Sequence, residues 1–201
     1  MTTTFEKLKG KFVYLSPVNI DNYKEYSDWV NDIDISKYIN QDIHLTYSQE
    51  KEALEALSRK SKIFGIHNRE AKKLIGNCSI FNIDYIAGKA EAGIFIGEKN
   101  YWNQGYGTEA FSLLIDYGFN ILNLENIMIE VFDYNQRALK SYNKIGFKEI
   151  GRRRKAHKIS GKRYDIIYLD IIAEEFESPF IKNIIESDEH EKKFGMKLEI
   201  L

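Results

Sequence analysis

A chain of 201 residues is the length of one domain, or of one domain with a short appendage, and can bury a single substantial core. Its 43% hydrophobic and 29% charged residues describe a globular protein, and a net charge of −1 gives no overall field to gather nucleic acid or anionic lipid. One cysteine excludes an intramolecular disulfide and a cysteine-based metal cluster, and neither an N-terminal apolar h-region nor a long apolar run occurs, so a cytoplasmic protein without membrane attachment is expected.

Phe12–Leu15 reads as a strand stopped by Ser16-Pro17, and Asp21 opens a helix with Tyr23, Tyr26, Trp29 and Val30 on one face. Ser48 is the expected N-cap of a second helix ending near Lys60. Lys62–His67, Leu74–Ile83 and Ala90–Gly97 follow as strands joined by short polar turns, an antiparallel meander in which Cys78 reads as a buried, inert thiol. The loop Glu98–Gly107 leads into a helix over Thr108–Leu122, whose Ala110, Leu113, Leu114, Tyr117 and Ile121 keep a helical rhythm. Asn126–Phe132 is a strand, Arg137–Ile145 a helix closed by Gly146, and Phe147–Gly151 and Tyr164–Ile172 two strands joined by a basic hairpin through Ser160-Gly161. The order implies an α/β fold in which a mixed, largely antiparallel sheet is flanked by helices. Residues 1–172 form the expected domain, and residues 173–201 an appendage with an amphipathic helix (Phe176, Phe180, Ile181, Ile184, Ile185) and a tail.

The segment from Ile94 to Ala110 carries the most chemistry, because a strand passes through a glycine-bearing loop straight into a helix start. Unsatisfied amides and the helix dipole favour an anion such as a pyrophosphate there. Three other motifs fail. Gly105-Tyr106-Gly107 lacks the third glycine of a dinucleotide fingerprint and follows antiparallel strands. Gly146 and Gly151 have P-loop spacing, but Arg152 and Arg153 stand where Lys-Ser/Thr is required. His190-Glu-Lys-Lys-Phe194 ends without a second zinc ligand, so no metal site is expected.

Gln104-Gly-Tyr-Gly-Thr-Glu-Ala110 resembles the acetyl-CoA pyrophosphate loop of the GNAT N-acetyltransferase superfamily, with Glu109 in place of a final Gly or Ala. Asn135-Gln-Arg-Ala-Leu-Lys-Ser-Tyr142-Asn-Lys-Ile-Gly146-Phe147 resembles the same family's Asn-x-x-(small/apolar)-x-x-x-Tyr-x-Lys-x-Gly-Phe segment. Leu15–Asp21 with Trp29–Asp32 is similar to the opening of the branch holding ribosomal-protein N-terminal and spermidine acetyltransferases. The resemblance spans about residues 11–172 and implies a GNAT domain whose sheet is splayed between its fourth and fifth strands.

By the same resemblance, Gln104, Gly105, Tyr106, Gly107 and Thr108 hold the CoA pyrophosphate, and the edge at Phe95 and Ile96 pairs with the pantetheine arm. Tyr142 protonates or hydrogen-bonds the CoA sulfur, Asn135 bonds the cofactor arm or caps its helix, and Lys144 reaches a CoA phosphate. Glu91 is the candidate base for the attacking amine, and an amide in Gly93–Phe95 the candidate oxyanion donor. The implied reaction is acetyl transfer from acetyl-CoA to a primary amine of a small molecule or protein N-terminus, by direct attack in a ternary complex of a monomer or homodimer. A non-catalytic acyl-CoA sensor is the alternative; RNA binding through Arg152–Lys158 is a remoter one, that run reading first as a solvated face. The acidic stretches Asp28–Asp34 and Glu174–Glu191 lean toward a cationic acceptor.

Overall fold

Apolar, β-branched runs separated by polar turns form the strands, and amphipathic stretches between them form the helices. The structure, a computed structural model, describes residues 5–39 and 44–181. Its strands are β1 (Leu8–Lys9), β2 (Val13–Pro17), β3 (Lys62–Asn68), β4 (Leu74–Asp84), β5 (Lys89–Ile96), β6 (Asn126–Phe132), β7 (Lys148–Ile159) and β8 (Lys162–Ile172). They form one open sheet in the order β1-β2-β3-β4-β5-β6-β8-β7. Neighbours are antiparallel except β5 and β6, which run parallel and pair only from Lys89 to Glu91 against Asn126 to Met128. Beyond Glu91 the two strands part, leaving an edge open inside the sheet. This is the splay expected between the fourth and fifth strands, renumbered by the short β1.

Helices α1 (Tyr23–Asn31), α2 (Ile33–Ser36) and α3 (Tyr47–Lys60) cover one face, where Tyr26, Trp29, Ile35 and Leu54 pack with Phe95. Helices α4 (Tyr106–Asn120) and α5 (Gln136–Ile145) cover the other. There Phe111, Leu114 and Ile115 meet Ile80, Ala90, Ile127 and Ile129 in the main core. No helix of the described residues is long and apolar enough to cross a membrane.

Several boundaries differ from the sequence reading. Thr46, not Ser48, caps α3: its hydroxyl accepts from the Gln49 amide at 3.3 Å while the Gln49 side chain accepts from the Thr46 amide at 2.9 Å. The pattern Thr-x-x-Gln is a capping box, and Ser48 lies inside the helix within 3.3 Å of Glu52. Helix α4 begins at Tyr106 rather than Thr108, since Gly105 at φ +91° makes the reversal that would strain any other residue. Strand β7 runs on to Ile159, with register shifts at Glu149/Gly151 and Arg153/His157, so the basic run lies in a strand. After β8 the chain makes one 3₁₀ turn, Ala173–Glu175, and lays Phe176 on Phe119. Of the residues proposed for a terminal amphipathic helix, Ile184 and Ile185 lie outside the described residues.

A buried histidine links β2 to β3. His67 stacks on Tyr14 with ring centroids 4.7 Å apart, its Nε2 lies 2.9 Å from Ser16 Oγ, and its Nδ1 is buried without a partner. Burial pulls its pKa down to about 4, against a weaker opposing pull from Glu6. Between about 6.5 and about 4 the unfolded chain therefore binds a proton that the folded chain refuses, and stability falls as pH drops through that window. Urea midpoints measured at pH 7.5, 6 and 5 should decline more steeply for the wild type than for His67→Gln; parallel curves would assign the acid loss to other groups.

Candidate active site

The open edge is bounded by β5, the loop after it and the start of α4. Trp102 donates its indole N–H to the Ile96 carbonyl at 2.8 Å, folding the loop back on the strand. Gln104 donates its side-chain amide to the Asn100 carbonyl at 2.5 Å, and the Tyr106 ring packs edge-on to Tyr101 and Phe12. The first intrahelical bond of α4 runs from the Glu109 amide to the Gly105 carbonyl, 2.9 Å. The amides of Tyr106, Gly107 and Thr108 thus have no acceptor within the helix, at the positive end of its dipole. A Cβ on Gly107 would stand 3.4 Å from Ile96 Cγ1, so this helix start is pressed close to the β5 edge.

Glu109, the departure from the family loop pattern, has its own structural use. Its carboxylate accepts the amides of Lys11, Phe12 and Val13 at 2.6, 2.7 and 2.9 Å, which fastens the β1–β2 turn to α4. A Cβ on Gly10 would come within 2.8 Å of that carboxylate, so the turn needs glycine there. Thr108 Oγ1 and Ser141 Oγ, 2.8 Å apart, tie α4 to α5.

On β5 the main-chain direction can be read from one bond. The Gly97 amide donates to the Ile75 carbonyl on the β4 side, 2.9 Å. By the alternation of an antiparallel ladder, Phe95 also turns its main chain to β4, whereas Ile94 and Ile96 turn theirs to the opening. Phe95 instead offers its ring, 6.2 Å from that of Trp29. Ile94 entered the sequence reading only within the Gly93–Phe95 range of candidate oxyanion donors, and Phe95 was named for the edge in its place, because strand parity depends on a bond that no local pattern reveals. Pairing with β4 is regular from Glu91 to Ile96.

Helix α5 brings Tyr142 in from the other side. Asn135 caps it, accepting from the Ala138 amide at 3.2 Å, which is the structural use foreseen for it. Tyr142 is buried between Phe111 and Phe147, centroids 5.3 and 5.9 Å away, and burial pushes its pKa up to about 12 against a small opposing pull from Arg137. Arg137 was not singled out in the sequence. Its guanidinium lies 3.9 Å from the Trp102 ring centroid and 5.3 Å from that of Tyr38, and burial lowers its pKa. Lys144 is exposed on the far part of the helix and makes none of the ion pairs seen among the described residues.

Glu91 stands where β5 and β6 part. It is half-buried and accepts a hydrogen bond from the Asn82 side chain at 3.0 Å. The parallel register sets Glu91 opposite Met128, so Glu130 two residues on shares its face. Burial and then the Glu91 charge raise the pKa of Glu130, with Arg153 opposing. Period-2 reading of β6 would have found this second carboxylate.

His157 leaves the basic run to stack on Phe132, centroids 3.9 Å apart, with its Nε2 3.3 Å from the Tyr134 hydroxyl. It borders an open cleft of about 980 Å³ on the α1–α3 side, between those helices and the end of β7. Asp28, Lys37, Tyr47 and Lys158 also line this cleft, and the loop Gln104–Thr108 does not. Hence the acidic face expected from Asp28–Asp34 is largely neutralised: Lys99 pairs with Asp32 and Asp34 at 2.8 and 2.9 Å, and Lys37 with Asp34 at 2.9 Å.

The chain is similar to known proteins over most of its length. It is 28% identical over 176 residues to the uncharacterized N-acetyltransferase p20 of Bacillus licheniformis, covering 85% of this chain and 98% of the relative. It is 26% identical over 136 residues to the spermidine N(1)-acetyltransferase of Escherichia coli K12, covering 63% of this chain and 73% of that enzyme. In fold it is similar to the spermidine N-acetyltransferase of Vibrio cholerae, solved with CoA and spermine, with a TM-score of 0.77 at 23% identity over 83% of this chain and 98% of that one. The acetyltransferase (GNAT) domain model matches residues 13–148, and the chain accordingly belongs to the GNAT family of acetyltransferases.

Proposed function

We propose that this chain moves the acetyl group of acetyl-CoA to a primary amine by direct attack in a ternary complex. The observation that carries the reading is the parting of β5 from β6 beside the amides that open α4 and have no acceptor within the helix. The amides across Gln104–Thr108 would hold the pyrophosphate, and the Ile94 main chain with the Ile96 amide would pair with the amide-bearing pantetheine arm, the Ile96 carbonyl being engaged by Trp102. Lys144 would reach a phosphate only by extending from the surface.

A phenol held near pH 12 is a weaker acid than a thiol of about 8.5, so Tyr142 serves the departing sulfur better as a hydrogen-bond donor than by full proton transfer. Glu91, directly or through water, would take one proton from the ammonium group before attack, and a second proton, lost by the nitrogen as the tetrahedral adduct breaks its C–S bond, would neutralise the departing thiolate. Glu130, behind Glu91, keeps that end of the site negative and attractive to an ammonium group. The relatives that act on spermidine favour a small amine within this scheme, the cytoplasm is its natural setting, and residues 1–172 are the catalytic unit.

Calorimetry with acetyl-CoA tests the reading. Micromolar binding by the wild type should weaken by more than about 30-fold in Gly107→Trp, whose Cβ would already touch Ile96 and whose ring would occupy the space before the helix start where the pyrophosphate would sit. No binding by well-folded wild type would sink the proposal, and binding without turnover over a broad amine panel would leave a sensor.

A further inference from the structure

Charge is unevenly placed on the α1–α3 side of the sheet. The open cleft is lined by one lysine outside the salt bridges among the described residues, Lys158, and by one carboxylate, Asp28, which accepts a hydrogen bond from the Tyr47 hydroxyl at 3.0 Å, while Lys37 beside them is paired with Asp34. The remaining acids of that stretch are consumed in ion pairs with Lys99 and Lys37. The basic surface continues along the β7–β8 hairpin, where Arg154, Lys155, Lys158, Lys162 and Arg163 enter none of the salt bridges among the described residues. Asp165, an acid of that hairpin, accepts a hydrogen bond from the Lys155 main-chain amide at Oδ1. Between the cleft and the opened edge stands Arg137, half-buried against Trp102 and Tyr38 and likewise in none of those salt bridges.

The charges are therefore polarised. Glu91 and Glu130 lie together where the strands part, with Arg153 of β7 near Glu130, and further cations outside the salt bridges among the described residues follow along the hairpin. An acceptor complementary to both ends has an ammonium group at one end and negative charge at the other. A polyamine, positive along its length, would set charge against charge at Lys158 and Arg137. On the acetyl-transfer reading above, we propose that the acceptor is a primary amine whose neighbouring groups carry carboxylates, with Lys155, Lys158 and Arg137 reading them. Free acidic amino acids and polypeptide N-termini with acidic first residues share this chemistry.

The test measures kcat/KM at saturating acetyl-CoA for three C-terminally amidated peptides, Ala-Glu-Glu-Ala-Tyr, Ala-Gln-Gln-Ala-Tyr and Ala-Lys-Lys-Ala-Tyr, together with free glutamate and spermidine. The glutamate peptide should exceed the glutamine peptide by about tenfold and the lysine peptide by more, with the gap shrinking as salt rises from about 0.05 to 0.5 M. Lys155→Glu combined with Lys158→Glu should reverse the order of the glutamate and lysine peptides. Free glutamate as the best substrate assigns the site to a metabolite; the glutamate peptide as the best assigns it to a polypeptide. Equal rates for the three peptides, or preference for spermidine, overturn the inference. Should no amine turn over, anisotropy of the C-terminally labelled peptides on acetyl-CoA-loaded protein decides: tighter binding of the glutamate peptide supports the inference and equal binding overturns it. Failure of acetyl-CoA itself to bind would instead count against acetyl transfer.

Discussion

Replacing Tyr142 by Phe should lower kcat by about 10²–10³ while leaving the KM for acetyl-CoA within a few-fold of wild type. The ring is held by Phe111 and Phe147 whether or not it carries a hydroxyl, so the variant keeps the wedge between α4 and α5. What it loses is one donor to a sulfur that becomes negative only as the thioester breaks, the kind of interaction that acts on kcat rather than on binding. The pH profile separates this role from a merely structural one. With the phenol at about 12, Tyr142 stays protonated at working pH, so the rising limb near neutral belongs to the amine and its base. In the Phe variant that limb should keep its position while the plateau drops. A limb that shifts, or a kcat within threefold of wild type, would remove Tyr142 from the chemistry.

How much of this site could be read beforehand follows from the range of each signal. The form of the loop before α4 was legible because its determinants are local: glycine, helix start and preceding strand are contiguous in the chain. Tyr142 was singled out only through a family segment, since nothing else distinguishes it among thirteen tyrosines. Glu109 looked like a departure from the loop pattern because its three partners lie 96 to 98 residues earlier, in a turn whose strand β1 is only two residues long. His157 was submerged in a basic run because a bulge in β7 turns it inward, and bulges leave little trace in composition. The acidic stretch Asp28–Asp34 carries less net charge than it reads for a related reason: a run of like charges in sequence says nothing of Lys99, which reaches it across the fold.

The start of the C-terminal appendage was read as one apolar stripe, and its actual anchor is a charge. Asp116 is fully buried in the middle of α4, where a carboxylate normally cannot stay without a cation or several donors. Here four donors supply what is needed: the Asn120 side chain and Ser178 Oγ at 2.7 Å each to Oδ1, and the amides of Phe180 and Ile181 at 3.0 Å each to Oδ2. These bonds seat Ile181 in the main core and hold Phe176 against Phe119. Asp116→Ala takes the acceptor from the Phe180 and Ile181 amides and should cost about 3–5 kcal/mol in urea unfolding. Asp116→Asn should cost far less, because its Oδ1 can still take the two amides and its Nδ2 can donate to Ser178. If the loss is local, limited proteolysis will cut the alanine variant after Ala173 while the rest of the chain persists, and acetyl-CoA binding will survive. If it is global, cutting and binding will fail together, which would make the segment after β8 part of the fold rather than an appendage to it. Equal stability of wild type and the alanine variant would show that this carboxylate is solvated and the segment free of α4.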